Sequence, residues 1–108
     1  SLHGLNDETF ARGWASGRVL FRGYGPLRIE RELRGKGIAK STIAPILRET
    51  FTEEGEKERA RILLGKKFGG SDWCDTRVSR RAGDFLQRCG YRRSVVLELL
   101  RTFSREKI

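Results

Sequence analysis

Shifted by 53 positions, the chain falls on itself. Leu33 then meets Leu86, Gly37 meets Gly90, Ile38 meets Tyr91, Ile43 meets Val96, Ile46 meets Leu99 and Leu47 meets Leu100. Helical patterning alone would align apolar residues, but it would not set a glycine followed by a large apolar residue at the same point in both halves. Such a glycine can take the left-handed conformation that ends a helix, and the next residue packs back over the last turn. A chain of 108 residues holds one modest core or two very small ones. The repetition favours the second: an all-α fold of tandem three-helix repeats, two units at residues 1–51 and 52–108, with six main helices. Units this small bury their cores partly against neighbours, so an elongated, curved array is expected.

The best-punctuated stretch is Gly23 to Ile38, G-Y-G-P-L-R-I-E-R-E-L-R-G-K-G-I. Gly23, Tyr24 and Gly25 form a turn, and Pro26 suits a first helical position, where its fixed φ fits and its missing N–H is not needed. Gly37 is the stop and Ile38 its apolar contact. Steps of 100° put Ile29 and Leu33 on one face, with Arg28, Arg31 and Arg34 fanned across the other. Glu30 and Glu32 point to different faces and are expected to pair with neighbouring arginines.

Before this stretch, Asn6 or Asp7 is placed to cap a helix running to about Arg22, with Phe10, Trp14 and Phe21 as its core stripe and Ser1 to Gly4 frayed ahead of it. Gly13 and Gly17 lower its propensity and imply a close neighbour. After Ile38, a third helix turns Ile43, Ile46, Leu47 and Thr50 inward. A proline deep in a helix costs about 3 kcal/mol, so the cap is expected at Ser41 or Thr42, bringing Pro45 near the tolerated first turn. Thr52 opens a fourth helix whose Glu53, Glu54, Glu56 and Glu58 suit the positive end of the dipole, with Arg59, Arg61, Lys66 and Lys67 following. Ala60, Ile62, Leu63 and Leu64 are its apolar residues, Gly69 and Gly70 its stop, and Trp73 in the next loop is expected to cover the adjacent core. The fifth helix, about Thr76 to Cys89, aligns Val78, Ala82, Phe85, Leu86 and Cys89 on one side and Arg77, Arg81 and Arg88 on another, and ends at Gly90. The sixth, about Arg92 to Phe103, turns Val95, Val96, Leu99, Leu100 and Phe103 inward, leaving Ser104 to Ile108 without an assigned partner.

Charge narrows the function. The net charge is +9, and 17 of the 23 basic residues are arginine. A surface so basic suits an acidic partner as well as serving solubility, and arginine's fork grips phosphate or carboxylate in a bidentate way that lysine cannot. His3 stands alone, and Cys74 and Cys89 lie fifteen apart with no C-x-x-C, so no metal site is expected. The spacing leaves a disulfide open, while the place of Cys89 on an apolar face predicts a buried free thiol. No apolar run is long enough to span a bilayer and no signal peptide opens the chain, which points to a cytoplasmic protein. The absence of methionine suggests a fragment, with Ser1 a cloning remnant. No nucleophile has a base beside it, there is no phosphate loop, and no carboxylates share a pocket by spacing, so neither an enzyme nor a cofactor is expected.

L-N-D-E-T-F-A-R-G-W, then G-Y-G-P-L-R-I-E-R-E-L-R-G-K-G-I, then F-L-Q-R-C-G-Y-R-R-S-V-V, spread from Leu5 to near Phe103, resemble the RecX family, bacterial regulators of RecA recombinase. The resemblance implies tandem three-helix repeats, usually three, of which this chain would supply the middle and last. It implies a protein that lodges in the groove of the RecA filament on single-stranded DNA and suppresses ATP hydrolysis, strand exchange and co-protease activity, in DNA recombination, repair and the SOS response; a monomer is expected, although the residues do not fix the oligomeric state. Ala39, where the family often has serine or threonine, and Pro45 depart from the pattern. With the charge, this assigns Arg28, Arg31, Arg34, Lys36, Arg77, Arg81 and Arg88 to contacts with RecA or with single- or double-stranded DNA. The competing reading is a DNA-binding module, since two short helices joined at a glycine look like a helix-turn-helix.

Overall fold

The computed structural model describes residues 3–106, with side chains from Asp7 to Arg105. Its helices are α1 (His3–Gly17), continued by a π-helical turn (Arg18–Arg22), then α2 (Pro26–Gly35), α3 (Lys40–Thr50), α4 (Glu53–Phe68), α5 (Thr76–Cys89) and α6 (Arg93–Glu106). No strand occurs among the described residues. The fold is all-α, a three-helix repeat architecture drawn out to 56 × 22 × 21 Å. One apolar cluster joins Ala11, Ala15 and Val19 to Ile29, Leu33, Ile43, Ile46 and Phe51. A second joins Ala60, Leu64, Ala82 and Leu86 to Tyr91, Val95, Val96 and Leu99.

The repetition extends to individual hydrogen bonds. The amides of Gly37 and Ile38 donate to the carbonyls of Arg34 and Leu33, and those of Gly90 and Tyr91 donate to Gln87 and Leu86, each 53 positions on. Gly37 and Gly90 have φ of 87° and 96°, the left-handed region that closes a helix at low cost only with glycine. The third helices open alike, with Ile43 donating to the Ala39 carbonyl and Val96 to that of Arg92. Ile38 and Tyr91 are buried behind their glycines.

The first helix departs from its expected reading. It begins at His3, so Asn6 and Asp7 lie inside it rather than at its N-terminal boundary. His3 and Gly4 are helical rather than frayed. Ser1 and Leu2, and the side chain of His3, lie outside the described residues. The inward face carries Ala11, Ala15 and Val19, while Phe10 and Phe21 are exposed and Trp14 is half-buried. Alanines let α3 pack close to α1, and the bulkier rings fit only along the flanks.

Two ends also differ. Helix α3 starts at Lys40, with Ala39 as a cap that offers no side-chain bond, so Pro45 sits inside the helix. The hydrophobic anchoring of Ile43 and Ile46, both buried, holds the helix across the proline and outweighs the missing side-chain cap. Helix α6 runs on to Glu106, past the expected end at Phe103; Lys107 and Ile108 lie outside the described residues. Trp73 is buried, its indole N–H donating to the Phe68 carbonyl at 3.1 Å and its ring set against Phe103, so it covers the second core as expected. Cys89 is a buried free thiol and Cys74 an exposed one.

A basic surface built around a helix-to-helix joint

The two clusters meet end to end at the turn before α2. A helix leaves its first amides and last carbonyls without intrahelical partners. Here one end satisfies the other: the Gly25 amide donates to the Cys89 carbonyl at 2.7 Å and the Leu27 amide to the Gly90 carbonyl at 2.9 Å. The positive end of α2 thereby faces the negative end of α5, a favourable alignment of dipoles. The approach depends on bare backbone. A Cβ at Gly25 would lie 2.7 Å from the Gly90 carbonyl carbon and oxygen, and one at Gly90 would lie 2.8 Å from Cα of Arg28. The Tyr91 hydroxyl closes the joint by donating to the Gly23 carbonyl at 2.7 Å, and burial pushes its phenol well above the usual tyrosine range.

Arg28 belongs to this joint. Its Nη1 donates to the Arg88 carbonyl at 3.0 Å, its Nε lies 3.6 Å from Oε2 of Glu32, and its guanidinium stacks 3.9 Å from the centre of the Tyr24 ring. Glu32 ties α2 to the first helix as well, accepting from the Trp14 indole at 2.9 Å and lying 3.4 Å from Nε of Arg18. Lys36 sits 4.3 Å from the Trp14 ring centre, with Arg18 at 4.1 Å. These cations lie over a half-buried indole, where the ring quadrupole attracts them.

Arg31, Arg34, Arg81 and Arg88 are exposed, and among the described residues their side chains make no hydrogen bond or ion pair. Arg77 is exposed but paired with Asp75, holding that carboxyl below the usual carboxylate range. The joint therefore sets α5, with Arg77, Arg81 and Arg88, end to end with α2, with Arg31 and Arg34. Of the seven basic residues read from the sequence, Arg28, Lys36 and Arg77 have intramolecular partners, and the other four face solvent without a hydrogen bond or ion pair. Among the described residues no group of three or more His, Cys, Asp or Glu side chains could hold a metal, and no helix is long and apolar enough to cross a membrane.

Glu56 is a residue that sequence reasoning assigned only to a helix dipole. It is fully buried and reaches from α4 to Arg92 at the start of α6, where Oε2 accepts from the Arg92 amide at 3.1 Å and Oε1 from its Nε at 2.8 Å. The cap that α6 lacks in its own sequence is thus supplied by another helix, a link that no local pattern announces.

The sequence that builds this fold is similar to that of known proteins. The profile for the second three-helix domain of RecX matches residues 6–45. A regulatory protein RecX from Trichlorobacter lovleyi is 40% identical over 81 residues, covering 73% of this chain and 51% of the relative. The chain belongs to the RecX family. The RecX regulatory protein of Halorhodospira halophila is 38% identical over 89 residues, 82% of this chain and 53% of that protein. That of Pseudomonas fluorescens is 36% identical over 96 residues, 89% and 60%. The chain spans about half the length of the RecX relatives it matches, and no solved structure matches it. The G-Y-G-P motif that carried the resemblance coincides with the joint, so in this RecX chain its glycines serve helix-to-helix contact as well as a turn.

Proposed function

We propose that this RecX chain binds the RecA filament and inhibits its recombinase, ATPase and co-protease activities without catalysis, as a cytoplasmic monomer. The observation that carries the reading is the run of exposed arginines on two helices joined end to end, Arg31 and Arg34 on α2 and Arg77, Arg81 and Arg88 on α5, in a molecule 56 Å long. An elongated basic surface suits a repeating filament, because successive units can touch successive protomers and raise the effective concentration without strong single contacts. Acidic protein surfaces and the phosphates of the filament's DNA are both complementary to it. Arg28 and Lys36 support this surface by holding its shape.

The alternative is a helix-turn-helix that binds DNA directly through α3 or α6. Their first turns offer Lys40 and Ser41, and Arg93 and Ser94, all exposed, which suit phosphate more than base edges. Co-sedimentation separates the readings: the chain is expected to pellet with RecA filaments on single-stranded DNA far more tightly than it binds the same DNA or a duplex alone. Tight, sequence-selective binding to bare duplex would overturn the proposal.

A further inference from the structure

The π-helical turn Arg18–Arg22 puts Leu20 and Phe21 into solvent, 74% and 81% exposed. π-turns occur at helix C-termini, and Gly23 closes this end of the first helix in the left-handed conformation, φ 68°. The turn forms one wall of a groove of about 310 Å³ whose other wall is α4, with Ile62 half-exposed and Leu63 against Gly23. Arg22, Arg59 and Lys66 line the same groove. All three are exposed, and among the described residues they make no hydrogen bond or ion pair. No carboxylate lines it.

We infer that this groove is a docking slot for an acidic protein segment whose apolar side chains seat between Phe21 and Ile62 while its carboxylates meet Arg22, Arg59 and Lys66. Contiguous exposed apolar surface with a charged rim marks an interaction site, and three cations with no acid among them select a negatively charged occupant. The lining decides between protein and nucleic acid. Stacking of bases needs open aromatic faces, and Phe21 is the one aromatic ring standing free here; the neighbouring Trp14 ring already carries Arg18 and Lys36. Leu20, Ile62 and Leu63 are aliphatic and suit the apolar face of a helix or strand. The inference rests on the filament-binding reading, and makes the RecA protein, rather than its DNA, the occupant.

The test uses RecA filaments assembled on oligothymidylate with a non-hydrolysable ATP analogue, titrated with the parent chain, Phe21→Ser, Ile62→Ser and the triple variant Arg22→Glu, Arg59→Glu, Lys66→Glu. Phe21 and Ile62 stand on opposite walls and both are solvent-exposed, so circular dichroism and Tm are expected to match the parent. Binding to the filament is expected to weaken at least about tenfold in each single variant and further in the triple variant, with binding to free oligothymidylate unchanged by Phe21→Ser and Ile62→Ser. If parent and single variants bind the filament equally, the groove assignment fails while the filament reading stands. If the parent does not bind the filament, both fail. Loss of oligothymidylate binding in Phe21→Ser would assign the ring to a base, and loss of self-association in sedimentation would assign the groove to a second copy of this chain; either result overturns the proposal.

Discussion

The amide of Gly25 donates to the carbonyl of Cys89 across 2.7 Å, joining the first turn of α2 to the last turn of α5 through backbone alone. Gly25→Ala would force a methyl to within 2.8 Å of the Tyr91 ring and closer still to the Gly90 backbone, neither of which can rotate aside. The expected cost is about 1 to 3 kcal/mol from overpacking, with the two clusters hinged apart. Small-angle scattering should show a radius of gyration above that of the parent. Gly13→Ala is the control: contrary to the close neighbour expected at Gly13 and Gly17, an added Cβ meets nothing within 4 Å at either, so about 0.5 to 1 kcal/mol of added stability is expected from helix propensity.

Glu56 and Arg92 predict an asymmetry in denaturant titrations. Glu56 is fully buried, whereas the Arg92 side chain is about half exposed. Arg92→Ala leaves a carboxylate in the core with only the backbone amide as partner, for an expected loss of about 3 to 5 kcal/mol. Glu56→Gln lets Arg92 turn to water and keeps an acceptor for the amide, for about 1.5 to 3 kcal/mol from the weakened charged hydrogen bonds. Equal losses would mean that the buried charge is not what matters.

Tyr91 links the joint to pH. Because burial raises its folded pKa, the folded state holds the phenolic proton when the unfolded chain has released it. The stabilisation is complete below the unfolded tyrosine value of about 10 and falls as pH rises above it. Tyr91→Phe should lose about 1 kcal/mol at neutral pH with the bond to Gly23 and show a shallower decline in stability above pH ~10, read from thermal melts across the alkaline range.

The two cysteines should separate by rate. Cys74 is exposed, and Cys89 is buried with its thiol pushed up by desolvation despite nearby Arg28, Lys67 and Arg88. The thiolate is the reactive form, so iodoacetamide at pH 8 should label Cys74 in the native chain and Cys89 only after denaturant is added, as peptide mapping would show.

The sequence carried the features whose cause is local. The left-handed glycines, their buried followers and the 53-residue offset could all be seen because each rests on residues adjacent in the chain. The first core was misjudged because Phe10, Trp14 and Phe21 fall on an arc one position from Ala11, Ala15 and Val19. Hydrophobic size argued for the rings, while the closeness of α3 demanded alanine. Pro45 argued for a later start to α3, yet the buried Ile43 and Ile46 extend the helix around it. Arg28 looked like its neighbours Arg31 and Arg34 because its partner, the Arg88 carbonyl, lies 60 residues away. Long-range contact also hid Glu56 as the cap of α6. The opposition of Gly25 and Gly90 had no local signal, because each glycine was already accounted for, one by the turn before Pro26 and the other by the end of a helix.

RecA's ATPase on single-stranded DNA tests the central claim most directly. The parent chain is expected to inhibit it at substoichiometric amounts. The variant Arg31→Ala, Arg34→Ala, Arg81→Ala, Arg88→Ala removes exposed side chains without internal bonds, so it should keep the parent's circular dichroism and need at least about tenfold more protein for half inhibition, a loss of about 1.4 kcal/mol or more in binding. Inhibition by the folded variant at the parent's concentration would contradict the account.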